Sequence, residues 1–145
     1  MASLLDQDAG ESDPWLAGDT EVAIVVFAGE SSLKWLRLLR PGFRHCFVLV
    51  RRQGCWIVYD PLSHRTNLAV LIGPTSSELV EWYREKGLRV VETTVRLTPL
   101  RSAPLRPFTC VEAVKRVLGI HAPWVTTPWQ LYCYLQPVRN GTFLP

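Results

Sequence analysis

HCFVLVRRQGCWIVYD, residues 45–60, holds two short apolar runs on either side of Arg52-Gln53-Gly54. Each run is rich in Val, Ile and aromatic residues, and the break between them carries glycine. That pattern reads as two antiparallel strands, His45–Val50 and Cys55–Asp60, joined by a tight turn. Strand alternation puts His45, Phe47 and Leu49 on one face of the first strand. If the turn centres on Arg52-Gln53, His45 lies directly opposite Asp60 and the two side chains share a face. A register one residue longer would instead set Cys46 opposite Asp60.

Working outward, Glu21–Phe27 (EVAIVVF) is an apolar, β-branched run that reads as a buried strand. Ser31–Arg40 (SSLKWLRLLR) has Leu33, Leu36 and Leu39 at helical spacing and ends at Pro41-Gly42. Asn67–Ile72 and Leu88–Val95 are further strands. Three boxes of the form Thr-x-x-Glu/Gln mark helix starts, at Thr75–Glu78, Thr109–Glu112 and Thr127–Gln130. The first helix runs to about Lys86 before Gly87, the second to about Leu118 before Gly119, the third to about Leu135. Arg96–Pro107 holds three prolines and reads as an irregular loop. The fold class is therefore α+β, an antiparallel sheet of about four to five strands packed against helices.

The chain has 145 residues, 48% of them hydrophobic, which suits one domain with one core. Residues 1–19 carry five acids and no bases and read as a flexible acidic tail ahead of a single domain over 20–145. They lack the basic, apolar pattern of a secretory signal, and no apolar run is long enough for a membrane span. The expectation is no membrane partner and a reducing, cytoplasmic compartment. The body beyond the tail is basic, with Lys34, Arg37, Arg40 and Arg44 clustered in sequence and Arg51, Arg52 and Arg65 further along. No nucleic-acid motif accompanies them, so a solvated basic surface is favoured over a nucleic-acid partner.

Cys46, Cys55, Cys110 and Cys133 show neither disulfide-scaffold nor zinc spacing, although a hairpin bridge between Cys46 and Cys55 stays open. His45, His64 and His121 do not complete a metal site, so neither metal nor cofactor is expected. The local run Asp60-Pro-Leu-Ser63-His64 is too tight to form a triad. Cys110 differs from the other thiols. It follows the N-cap Thr109, so it occupies the first helical position, where unpaired N–H groups favour a thiolate. At about 100° per residue it shares a face with Ala113, Val114 and Val117, directed at the sheet, with Glu112, Lys115 and Arg116 on the opposite side. A cysteine on such a face is commonly just core. A partner changes that reading: His45 as base and Asp60 as its orienting acceptor complete a nucleophile, base and orienter set.

The order His45, Asp60, Cys110 resembles the circularly permuted branch of the papain-like, NlpC-type cysteine hydrolases, which includes lecithin:retinol acyltransferase-like proteins. The resemblance covers roughly Gly42–Asp60 and Phe108–Leu118. It implies a cysteine-dependent amidase or peptidase that acts on a peptide or amide substrate through a thioester. PFTCVEAVKRVLGI (Pro107–Ile120) and TPWQLYCYL (Thr127–Leu135) also resemble short proteins encoded by bacteriophages and prophages. This second resemblance implies a host-cytoplasmic location, with the virion as the alternative. Two other functions compete: a non-catalytic binding or assembly module anchored by some of the six tryptophans, and a basic nucleic-acid binder.

Overall fold

The computed structural model describes residues 21–30, 38–96 and 107–137. Five strands form one antiparallel sheet: β1 (Val22–Ala28), β2 (His45–Arg52), β3 (Cys55–Pro61), β4 (Thr66–Ile72) and β5 (Arg89–Thr94), in spatial order β4-β3-β2-β1-β5. Three helices accompany it among the described residues: α1 (Ser76–Glu85), α2 (Cys110–Leu118) and α3 (Pro128–Leu135). The chain is thus α+β. The expected tail, most of the helix expected at Ser31–Arg40 and most of the expected Arg96–Pro107 loop lie outside the described residues.

β1 is an interior strand between β2 and β5, and its run Ala23–Phe27 is fully buried. Alternation divides those side chains between two cores. Ala23, Val25 and Phe27 join Cys46, Val48 and Val91 under α2 and α3, where Val111, Val114, Leu118 and Leu131 close the layer. Ile24 and Val26 join Leu49, Trp56 and Val90 beneath Leu79, Val80 and Tyr83 of α1. Each buried Val, Leu, Ile or Phe contributes on the order of 1.5–3 kcal/mol, which fixes the strand faces firmly. Trp56 sits in the second core, its indole N–H donating to the Pro74 carbonyl at 3.0 Å.

The hairpin register differs from the sequence reading. Arg52 pairs with Cys55 and Val48 with Tyr59, so the turn is Gln53-Gly54. Both turn residues have positive φ, 49° and 79°, as a two-residue turn matched to strand twist requires. The register is shifted from the expected one by an even step, so each residue keeps its face. Continued past Val48, it sets Asp60 opposite Phe47, diagonal to His45. Cys55 lies at the turn end and Cys46 near the far end of the hairpin, and all four cysteines are free thiols, so the Cys46–Cys55 bridge does not form.

The helix starts follow the boxes. Thr75 and Thr127 each complete the reciprocal pair with Glu78 and Gln130. Thr109 caps α2 by accepting from the Glu112 N–H, but the Glu112 carboxylate turns instead to Lys115 and Arg116. Glu112 and Lys115 are buried, not solvated as a face opposite the sheet would suggest. The segment between α2 and α3 folds over them. Lys115 Nζ donates to the carbonyls of Ala122 at 3.1 Å and Val125 at 2.9 Å and pairs with Glu112 at 3.0 Å. All three ammonium protons thereby find acceptors, which is what makes a buried lysine tolerable. Trp129 packs on the first core beside Phe43 and Tyr132, with the Arg40 guanidinium 3.6 Å from its ring centre, whereas Trp124 is exposed.

Candidate active site

One end of the sheet gathers the start of β2, the end of β3 and the N-terminus of α2. The approach to β2 passes a close pair of glycines: a Cβ on Gly29 would meet the Gly42 Cα at 3.1 Å, so a larger residue there would push the turn away by a few tenths of an ångström. Arg44 then binds back to the end of β1, its N–H to the Ala28 carbonyl at 2.9 Å and its Nη1 to the Gly29 carbonyl at 3.2 Å. These contacts fix where His45 enters the sheet.

His45 Nε2 lies 2.6 Å from Asp60 Oδ1, with both side chains largely buried. The diagonal placement is within reach because the two residues share a face and histidine is long. The imidazole also stacks against Phe47, which holds its plane. From the first position of β2 it also hydrogen-bonds the Cys110 sulfur. Cys46, on the opposite face of β2, meets the same sulfur through both its thiol and its backbone N–H. Cys110 itself is half-buried at the first position of α2.

The electrostatics follow from these contacts. The Cys46 thiol is the largest influence on Cys110. With the imidazole and the Cys46 N–H, it outweighs burial and lowers the Cys110 pKa to about 5. Burial alone would lower the pKa of His45, but the Asp60 carboxylate and the Cys110 sulfur overcome it and raise the value to about 9. Cys46 moves the other way: full burial and the neighbouring negative charge keep it a thiol. At neutral pH the arrangement is therefore a thiolate beside an imidazolium, with a neutral thiol donating from behind.

The pair opens onto a cleft of about 600 Å³, within the usual range for small-molecule sites. Leu62, Phe108 and Pro128 supply apolar wall, and Arg44 and Arg65 are the arginines among its described lining residues. His64 and Ser63 also line it but lie apart from the Asp60–His45–Cys110 chain of contacts. His121 is exposed on the segment between α2 and α3. Among the described residues no group of three or more His, Cys, Asp or Glu side chains converges as a metal site.

The three residues singled out from the sequence, Cys110, His45 and Asp60, thus lie together. Sequence reading missed Cys46 as a contact of the thiol, having placed it simply in a strand. The alternation that puts His45, Phe47 and Leu49 on one face of β2 puts Cys46 on the other, but its distance from Cys110 is not written in the sequence. No membrane-crossing helix occurs among the described residues, since none is long and apolar enough. Comparison with family models, curated proteins and solved structures finds no significant match.

Proposed function

We propose that the chain is a cysteine-dependent acyl hydrolase, an amidase or peptidase, with Cys110 as nucleophile, His45 as general acid and base, and Asp60 as the group that orients the imidazole. The observation that carries this reading is the position of His45, bonded to Asp60 on one side and Cys110 on the other, at the wall of an open cleft. The thiolate attacks a substrate carbonyl, and the oxyanion forms beside the backbone N–H of Cys110, which at the first turn of α2 has no intrahelical partner. The imidazolium protonates the leaving amine, and a thioester remains. Water, deprotonated by the now neutral His45, releases the acid and restores the pair.

The chain order and the placement of thiol, imidazole and carboxylate support a circularly permuted papain-like fold. The four free thiols support a reducing compartment such as a host cytoplasm. A phage origin rests on the sequence resemblance alone. A nucleic-acid role draws less support, because Arg52 pairs with Glu21, Arg44 binds the Gly29 carbonyl and Arg40 stacks on Trp129. An assembly module has one observation in its favour: Leu68, Val70 and Ile72 stand exposed along the edge strand β4.

Acylation tests the hydrolase directly. A small activated ester such as p-nitrophenyl acetate should leave an acetyl group on Cys110, seen by intact mass and peptide mapping. The adduct should drop by about 100-fold or more in His45→Ala, the scale of a lost general acid–base group. Acetylation spread evenly over the four thiols would contradict the proposal and favour the assembly module.

A further inference from the structure

Cys46 is a buried nucleophilic group that the hydrolytic cycle does not consume. It is fully enclosed within the first core, the same core against which Cys110 packs. Its backbone N–H and its side chain both meet the Cys110 sulfur. Cys46 lies within that core and Cys110 packs on it where α2 meets β2, so the two thiols are neighbours. Only Cys110 is reachable from outside, because it lines the cleft while Cys46 has no exposed surface.

We propose that Cys46 and Cys110 form a reversible oxidation site, in which Cys46 is the resolving thiol for an oxidised Cys110. The co-reactant is a hydroperoxide small enough to enter the cleft. The Cys110 thiolate attacks the outer peroxide oxygen, the O–O bond breaks, and the leaving oxygen takes up a proton as water or an alcohol. Sulfur loses two electrons and becomes a sulfenic acid, while the peroxide is reduced. The Cys46 sulfur then attacks Cys110, the S–O bond breaks, and the hydroxyl leaves as water with the Cys46 proton. The product is a Cys46–Cys110 disulfide, which removes the nucleophile from hydrolysis and shields it from further oxidation. Loss of the thiolate charge in the first step also removes one of the influences that hold Cys46 protonated, while its burial remains. The inference rests on the thiolate character of Cys110, which the proposed hydrolase shares, but not on hydrolysis itself.

The test treats the full native chain with a small excess of hydrogen peroxide, blocks free thiols with iodoacetamide and maps peptides without reduction. The expected product joins the Cys46 and Cys110 peptides, leaves Cys55 and Cys133 alkylated, and disappears with dithiothreitol. In Cys46→Ser the same dose should carry Cys110 on to the sulfinic acid about tenfold faster, beyond rescue by thiols. Sulfinic acid at Cys110 in the wild-type chain, with Cys46 free, would overturn the proposal without requiring the variant to fold. Ester acylation is read separately. Acylation without the disulfide removes this inference alone, and the disulfide without acylation removes the hydrolase alone.

Discussion

His45 carries the chemistry because it has two partners, and its identity as a candidate was legible from its place at a strand start. Asp60 was legible too, although by an argument that needed correction. The turn lies at Gln53-Gly54, so Asp60 is diagonal to His45 and not opposite. The pairing survives because a shift by an even step preserves faces. Hydrolysis should follow a bell-shaped pH profile with limbs near about 5 and about 9. Below the lower limb Cys110 is protonated, and above the upper limb His45 has lost its proton. Asp60→Asn removes a carboxylate that raises the His45 pKa and leaves burial, which lowers it. The basic limb should therefore move to lower pH in a kcat/KM profile, and an unmoved limb would remove Asp60 from its orienting role. Cys46 escaped notice because the effect of one thiol on another depends on distance, and residues in different elements give no distance from sequence alone.

Helix α2 was the most legible element. Thr109 at its start and Gly119 in the left-handed conformation at its end bracket the helix as the capping pattern required. The apolar face came out as expected, while the polar face did not, because Glu112 and Lys115 are covered by the segment leading to α3. Periodicity identifies a helix's apolar stripe but is silent about what lies over the other side. Thr109→Ala removes the acceptor for the Glu112 N–H and should cost about 1 kcal/mol, read as a lower denaturant midpoint. The same change loosens the turn that positions Cys110, so alkylation of that thiol near pH 6 should slow as well. Unchanged stability would show that the Thr109 side chain is not holding the helix start.

At the scale of the molecule, the sheet order β4-β3-β2-β1-β5 was not legible, although each strand was. Strand existence is written in local alternation, whereas neighbour choice depends on which apolar faces the helices can cover. The buried Lys115 contacts tie α2 to the segment before α3 and so help frame the cleft. Lys115→Ala strips the two carbonyls of their donor and leaves Glu112 with Arg116 alone. Stability should fall by about 3 kcal/mol in chemical denaturation. A change under about 1 kcal/mol would mean that this buried network contributes little. The account as a whole depends on β2 and α2 delivering imidazole and sulfur to one place. The rate of Cys110 alkylation by iodoacetamide, followed residue by residue against pH, measures this most directly. It should rise with a midpoint at about 5 in the native chain, and the midpoint should climb in His45→Ala. A Cys110 profile that overlays that of Cys133 and ignores the loss of His45 would contradict it.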